Sequence, residues 1–278
     1  MKVGVHVGGP PSSEVARFAG WAEETGFDVV TTTEVDHDPF LPLALAAQAT
    51  SRVRLATGIA VAFARTPMAM AYVTNDLQAL SGGRFLLGLG TQTKPHITRR
   101  FSMEWGKPVT RMREYITALR AIWNDWNKGE EVRHMGEYYR HTLMTATFRP
   151  APHGHDNPPI HLAAVGPAMT RLAGEVADGL IPHGFSTERY FREVTLPALE
   201  EGLELGGRDR SEVSVHCPGF AHVYAPEGSV DEQRRMLVDQ VHLHPPAGTP
   251  EAEIRAAVAT LHDSDLPAEE PALPAGER

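Results

Sequence analysis

The sequence has little cysteine, a deficit of basic charge and no long apolar run. Cys217 is the only cysteine among 278 residues, so the chain can form neither an internal disulfide nor a multi-thiolate zinc site. A net charge of −9 gives no general attraction for nucleic acid or anionic lipid. No segment reaches the roughly 20 apolar residues that cross a bilayer, and the N-terminal apolar stretch is too short for a signal peptide. We predict a cytoplasmic protein with no nucleic-acid partner and no membrane partner.

Strand-length apolar runs alternate with stretches of helical period, which indicates βα units and a parallel sheet. A hydrophobic content of 42% is sufficient for one large core. Seven units are visible, with predicted strands at Lys2–Val7, Phe27–Thr33, Val53–Val61, Arg84–Leu89, Ile160–Ala164, Gly179–His183 and Val213–Tyr224. The pattern predicts an α/β fold, a (β/α)8 barrel of TIM type.

Predicted helices fill the intervals between these strands. After the first helix, which begins at Ser12 or Ser13 and ends at Gly26, they are expected at Leu41–Thr50, Pro67–Leu80, Pro108–Trp126, Ala168–Ala177, Thr187–Leu205 and Val230–Val241.

Two sections interrupt the alternation. Residues Glu130–Thr147 predict a short hairpin inserted after the fourth strand. After His242 the sequence is rich in Pro, Ala, Glu and Gly, and an eighth strand is not evident. The C-terminal βα unit is therefore predicted to be atypical or incomplete. We expect one barrel domain over residues 1–262 and a disordered tail over residues 263–278.

Acids and an imidazole follow the second strand, and parallel barrels carry their chemistry on such loops. Glu34, Asp36, His37 and Asp38 precede Pro39. A histidine beside a carboxylate suits proton transfer near neutral pH. The alternative is that Asp36 or Asp38 caps the next helix, with Pro39 in its first turn.

Glycines mark three further places. Gly58, inside the third strand, indicates a bulge or a backbone surface against which a ligand lies flat. Gly88 and Gly90 fall within or at the end of a strand, so they do not form the dinucleotide-binding fingerprint. Gly166 precedes a helix whose N-terminus suits a phosphate, although a plain tight turn would have the same sequence.

The histidine clusters do not predict a metal site. Both clusters lie in Pro- and Gly-rich sequence that is typical of loops, with no second group of ligands at a regular spacing. They are His153 with His155, and His242 with His244. A metal-dependent barrel hydrolase is also disfavoured, because the first strand does not end in a His-x-His pair. We therefore predict no bound metal.

The run Arg65-Thr66-Pro67, followed by Thr74–Gly90 with its Ser81-Gly82-Gly83-Arg84-Phe85 core, resembles the helix-three and strand-four signature of the luciferase-like monooxygenase superfamily. Pro159–Gly179 also matches, so the resemblance covers about residues 1–240. Thr91-Gln92 and His37-Asp38-Pro39-Phe40 resemble the branch that uses the deazaflavin coenzyme F420.

This resemblance implies an oxidoreductase that transfers a hydride between F420 and a small organic substrate. It implies a bulge with a non-proline cis peptide in Thr57-Gly58-Ile59, against the coenzyme ring. It also implies ring contacts from Glu34, Thr91 and Gln92, a reaction face under His37, and a phosphate site formed by Ala163, Ala164, Val165 and Gly166. Lys94 stands near the position where some family members carry a proton-donating glutamate, so His37 and Glu34 are the candidate catalytic residues.

Two other functions remain open from the sequence. One is an FMN-dependent monooxygenase that receives reduced FMN from a separate reductase and shields an oxygenated intermediate from water. The other is a non-catalytic flavin-binding protein, in which an altered C-terminus has removed activity. A homodimer is compatible with each function.

Overall fold

The computed structural model describes residues 2–7 and 12–218. Eight strands form its main sheet: β1 Gly4–His6, β2 Val29–Thr32, β3 Arg54–Thr57, β4 Ala60–Val61, β5 Phe85–Gly90, β8 Ile160–Ala164, β9 Gly179–Pro182 and β10 Ser214–Val215. All pairings in this sheet are parallel. The order is β1-β2-β3-β5-β8-β9-β10, with β4 beside β5, and the sheet curls into a half-barrel. The predicted α/β class with a parallel sheet is confirmed.

Helices connect successive strands of the sheet, as expected for βα units. They are α1 Ser12–Thr25, α2 Phe40–Ala49, α3 Pro67–Leu80, α4 Pro108–Lys128, α5 Pro167–Val176, α6 Glu188–Tyr190 and α7 Leu196–Gly206. Short 3-10 turns lie at Ala62–Ala64, Ala146–Phe148 and Arg210–Glu212, and π-helical turns at His96–Arg100 and Phe191–Thr195.

Local sequence explains where these helices begin and end. The Thr66 hydroxyl accepts a hydrogen bond from the backbone N–H of Ala69 over 3.2 Å, and Pro67 occupies the first turn, so α3 has the predicted bounds. Gly129 ends α4 in the left-handed conformation, with φ 73°. The single helix predicted over Thr187–Leu205 is instead α6, a π-helical turn and α7. Pro197 lies in the first turn of α7 and has no N–H to donate to the preceding turn.

The core lies between the sheet and the helices. Its largest fully buried side chains include Trp123 and Trp126 of α4 and Phe85 of β5. Helices α5 and α7 approach closely because Gly174 and Gly202 lack side chains. A Cβ at Gly174 would lie 2.3 Å from the Leu199 carbonyl oxygen, and one at Gly202 would lie 2.0 Å from that of Arg171.

A short hairpin lies outside the regular alternation of helices and strands, and the last described strand is short. Strands β6 His134–Met135 and β7 Arg140–His141 pair antiparallel and form a separate hairpin between α4 and β8. Of the predicted seventh strand, Ser214–Val215 is present. Residues beyond 218, which include the predicted helix Val230–Val241, the C-terminal unit and the tail, lie outside the described residues, so the bounds of the barrel domain stay a prediction.

Candidate functional site

The third strand of the barrel is bulged at Gly58–Ile59. Strand β3 pairs with β5 through Ala56 and Leu86, and β4 pairs with β5 through Ala60 and Leu89, so four steps along one chain match three along the other. A cis peptide joins Gly58 to Ile59, as the resemblance implies. The bulge places Gly58, which has no side chain, next to the end of β2.

Backbone hydrogen bonds tie this bulge to the end of β2. The N–H of Gly58 donates to the Thr32 carbonyl oxygen over 2.6 Å, and the N–H of Glu34 donates to the Ile59 carbonyl oxygen over 3.2 Å. The loop that carries the predicted catalytic residues is thereby held directly beside the predicted ring-backing segment.

Two glycines of β5 make room for the bulge. A Cβ at Gly88 would lie 1.9 Å from the Thr57 carbonyl oxygen, and one at Gly90 would lie 2.8 Å from the Ile59 Cδ1. These contacts explain the glycines that the sequence analysis excluded from a dinucleotide fingerprint without giving them a role. Thr57 is 1% exposed and its hydroxyl bonds to the backbone of Gly88, so its side chain is buried and links β3 to β5.

Glu34 is 8% exposed, and both of its carboxylate oxygens are bonded. Arg65 Nη1 lies 2.7 Å from Oε1 and 2.6 Å from Oε2, and the N–H of Val61 donates to Oε2 over 2.8 Å. Arg65 Nη2 also donates to Asp38 Oδ2 over 2.9 Å. Burial lowers the pKa of Arg65, but the bonds and charges of Glu34 and Asp38 outweigh it, so the net pKa is raised.

His37 lies on the exposed rim, between Glu34 and Asp38. Its side chain is 54% exposed, with Nε2 3.6 Å from Asp36 Oδ2. Asp38 Oδ1 accepts hydrogen bonds from the N–H groups of Phe40 and Leu41 at the start of α2, over 2.9 and 3.2 Å. The capping interpretation is therefore confirmed for Asp38, while Asp36 lies beside the imidazole.

Thr91 and Gln92 leave the end of β5 in an unusual backbone conformation. Gln92 has a φ of 59°, in the left-handed region that non-glycine residues rarely adopt. The Thr91 hydroxyl donates to the Gln92 carbonyl oxygen over 2.9 Å, and Gln92 Oε1 accepts from the N–H of Thr93 over 2.9 Å. Both residues are half-buried at the same carboxyl edge as the bulge.

The predicted phosphate-binding residues lie at the end of β8, next to β5. A Cβ at Gly90 would lie 3.7 Å from the Ala163 Cβ, so this segment adjoins the bulge through Gly90. Gly166 caps α5 and has open space where a Cβ would be. The Tyr190 hydroxyl donates to the carbonyl oxygen of Val165 over 3.0 Å, and the Val165 side chain is 62% exposed.

His6, which was not among the predicted site residues, is the last residue of β1 and is half-buried. Its Nδ1 is 3.3 Å from the Thr31 hydroxyl and its Nε2 is 3.4 Å from the Thr33 hydroxyl. Thr31 in turn lies 3.7 Å from the Cβ position of Gly58. The available signal was position alone: His6 is the last residue of a strand, where a barrel exposes its functional side chains.

His161 and His216 form a pair of imidazoles near β8, β9 and β10. His161 is 3% exposed, its Nε2 is 3.1 Å from the Ser214 hydroxyl, and its ring contacts that of His216 edge-on at a centroid distance of 4.3 Å. Burial lowers the pKa of His161 to about 3, with smaller contributions from the charges of His216 and Arg54. A Cβ at Gly179 would lie 2.6 Å from this ring, so that glycine is required for the imidazole to fit.

Residues 2–7 and 12–218 contain neither a candidate metal centre nor a candidate membrane span. There, no three His, Cys, Asp or Glu side chains are grouped as metal ligands would be. No helix in the same part of the chain is both long and apolar enough to cross a membrane.

A parallel α/β half-barrel with a bulged third strand defines the structural class of this protein. The chain belongs to the luciferase-like monooxygenase family of oxidoreductases, because the sequence model of that family matches residues 2–273. The predicted family is therefore confirmed.

Sequence relatives extend this result. An uncharacterised protein of Mycobacterium tuberculosis strain H37Rv is 53% identical over 208 residues, which are 74% of this chain and 61% of the relative. A putative coenzyme F420-dependent oxidoreductase of the same strain is 35% identical, over 80% of this chain and 66% of its own length. The chain thus spans about 61% of the length of the first of these curated relatives.

Solved structures agree on the fold. The crystal structure of a monooxygenase from Streptomyces bottropensis superimposes with a TM-score of 0.71 and 25% identity, over 94% of this chain and 79% of that one. The F420-dependent tetrahydromethanopterin reductase of Methanopyrus kandleri has a TM-score of 0.65 and 23% identity, over 78% of this chain and 65% of its own. The latter supports the fold alone.

Proposed function

We propose that this protein transfers a hydride between coenzyme F420 and a small organic substrate, at the carboxyl edge of the half-barrel. The observation that carries the proposal is the Gly58–Ile59 bulge, because it is hydrogen-bonded to the loop of His37, packs against Gly90 of β5 and has no side chain at Gly58. The relative named as a putative F420-dependent oxidoreductase, at 35% identity, supports the choice of coenzyme.

The residues at this edge fit such a coenzyme. The proposed wall behind the flat ring consists of Gly58, which is exposed and has no side chain, and Ile59, whose side chain packs beside Gly90. Thr91 and Gln92 would contact the ring from β5. Ala163, Ala164, Val165 and Gly166 would hold the phosphate, which the N-terminal dipole of α5 favours. When bound, the coenzyme supplies the hydride chemistry and the protein fixes its orientation.

His37 and Glu34 have separate roles in this proposal. His37 is exposed at the rim, so its imidazole is available to exchange a proton with a substrate. Both carboxylate oxygens of Glu34 are bonded to Arg65, so they are already occupied by a partner within the chain. We therefore assign proton transfer to His37, whereas Glu34 contributes a fixed negative charge beside the ring.

The second candidate is an FMN-dependent monooxygenase, favoured by the structural similarity to the Streptomyces bottropensis enzyme. That function would need a separate reductase as partner. A homodimer and a cytoplasmic location remain predictions for both candidates.

The test is fluorescence titration of the purified protein with oxidised F420 and, separately, with FMN. We expect saturable F420 binding that is at least about tenfold tighter than FMN binding. FMN binding of equal or greater strength would favour the monooxygenase. Absence of binding by both coenzymes would reject the pocket itself.

A further inference from the structure

Arg65 joins two segments that leave different strands of the barrel. It follows β4 and the short turn Ala62–Ala64, whereas its partners Glu34 and Asp38 lie on the loop after β2. One guanidinium bonds both acids, at 2.6 to 2.9 Å, and its side chain is 23% exposed. These charge-assisted hydrogen bonds are therefore partly shielded from water. This shielding makes them stronger than the same bonds on an open surface.

Arg65 is itself held in place from three sides. Its backbone N–H donates to the Ala62 carbonyl oxygen over 3.2 Å, and its guanidinium carbon lies 5.4 Å from the centre of the Phe40 ring. The next residue, Thr66, caps α3. The guanidinium thus extends from the junction between β4 and α3 to the loop that follows β2.

Only three residues separate the two acids that Arg65 bonds, and His37 is one of them. Val35, Asp36 and His37 are all exposed; Arg100 donates to the Val35 carbonyl oxygen, and the His37 imidazole lies beside Asp36. Both ends of the His37 segment are therefore fixed by the same guanidinium. Lysine could not replace it, because an ammonium group lacks the planar fork that reaches two carboxylates.

We infer that Arg65 is the positioning residue of the candidate site, which sets the His37 segment against the Gly58–Ile59 wall. The expected effect of Arg65 on coenzyme binding rests on the proposed function. The contacts of Arg65 with Glu34 and Asp38, which we call the Arg65 clamp, lie within the chain and are present without a coenzyme.

The test compares Arg65→Ala and Arg65→Lys with Arg84→Lys. Arg84 is the matched control, because its guanidinium is also partly buried and bonds the carbonyl oxygens of Ala47, Thr50 and Val53. We expect Arg65→Ala to bind F420 about tenfold more weakly or worse, and to alter the circular dichroism of bound coenzyme. Arg65→Lys should not restore either property. Arg84→Lys should lower the melting temperature with F420 affinity unchanged.

Two further measurements separate positioning from general destabilisation. Guanidinium chloride at low millimolar concentration should restore the dichroism and affinity of Arg65→Ala, whereas ammonium chloride at equal ionic strength should not. Amide hydrogen exchange over residues 34–41 should accelerate in Arg65→Ala and not in Arg84→Lys. If Arg65→Ala fails to fold, Asp38→Asn, which removes only the outer ion pair, is measured by the same exchange and dichroism.

The outcomes distinguish this inference from the proposed function. Wild-type protein that does not bind F420 rejects the proposed coenzyme, and the hydrogen exchange then decides whether Arg65 positions the loop. Wild-type protein that binds F420, with unchanged affinity, dichroism and exchange in Arg65→Ala, overturns the inference and leaves the coenzyme assignment standing.

Discussion

One hydroxyl group, that of Thr57, bonds both backbone polar groups of Gly88. Thr57 Oγ1 donates to the Gly88 carbonyl oxygen over 2.7 Å and accepts from the Gly88 N–H over 2.9 Å. The regular pairing between β3 and β5 stops at Ala56 and Leu86, just before the bulge. The threonine side chain therefore substitutes for the backbone bonds that the bulge removes.

Replacing Thr57 by valine should destabilise the protein. The change keeps the shape of the side chain and leaves a buried carbonyl and a buried N–H of Gly88 without this partner, which costs about 2–5 kcal/mol. Urea unfolding followed by circular dichroism measures the loss. Thr57→Ser retains the hydroxyl and should recover most of the stability. A valine variant as stable as wild type would mean that the hydroxyl is dispensable.

Alanine at Gly88 and alanine at Gly58 should have opposite effects on folding and binding. A Cβ at Gly88 would lie 1.9 Å from the Thr57 carbonyl oxygen, so Gly88→Ala should destabilise by several kcal/mol or prevent folding. A Cβ at Gly58 meets nothing closer than 3.7 Å, so Gly58→Ala should fold. It should nevertheless weaken F420 binding, because a methyl group would protrude from the proposed ring-backing wall.

Thermal melting and F420 titration of the same two proteins separate these effects. The proposed wall would be wrong if Gly58→Ala bound F420 as tightly as wild type. A stable Gly88→Ala variant would contradict the packing of β5 against the bulge.

The repeating parts of this fold could be predicted because each follows from local physics. Alternating apolar periods predicted the strands, and Pro67 predicted the start of α3. The internal glycine at position 58 predicted an interruption of the third strand. None of these required knowledge of contacts that are distant in the sequence.

The Arg65 clamp could not be predicted from the sequence, because it depends on residues 27 and 31 positions apart. The sequence predicts Glu34 as a candidate catalytic residue. Its ion pair with Arg65 is visible only in the three-dimensional structure, where the loop after β2 lies beside the end of β4. The partners of His6 are also distant in the sequence: Thr31 lies on the neighbouring strand and Thr33 directly after it, at separations of 25 and 27 residues.

Buried His161 should make the stability of the protein fall with decreasing pH. Burial lowers its pKa in the folded chain to about 3, whereas an imidazole in the unfolded chain has a pKa of about 6.5. Between these values the unfolded chain binds a proton that the folded chain does not. The contribution is therefore complete above pH 6.5, and it is lost towards pH 3 with a slope of up to about 1.4 kcal/mol per pH unit.

Urea unfolding of wild type and His161→Gln at pH 4, 5, 6 and 7 checks this slope. The glutamine does not titrate, so the variant should lose less stability on acidification, even though it starts from a lower stability at pH 7. The pKa of His216 is also lowered by burial, so some acid dependence should remain. Parallel curves for the two proteins would show that His161 is not held neutral by the fold.

The final prediction concerns His37, the exposed imidazole at the rim of the candidate site. If it transfers a proton, His37→Ala should slow single-turnover hydride transfer between bound F420 and a substrate about 100- to 10,000-fold. The F420 affinity should change little, because the proposed wall and phosphate site do not include this side chain. The melting temperature should also stay near that of wild type, since the side chain is 54% exposed.

His155→Ala provides the matched control, because His155 is also exposed but lies on the loop before β8, where its ring stacks on that of His153. Turnover in this control should equal wild type. Unchanged turnover in His37→Ala would remove its catalytic role. Because Glu34 is bonded to Arg65 through both oxygens, it would be a poor replacement as proton donor. The search would then move to His6, whose imidazole lies beside Thr31 and so next to the bulge.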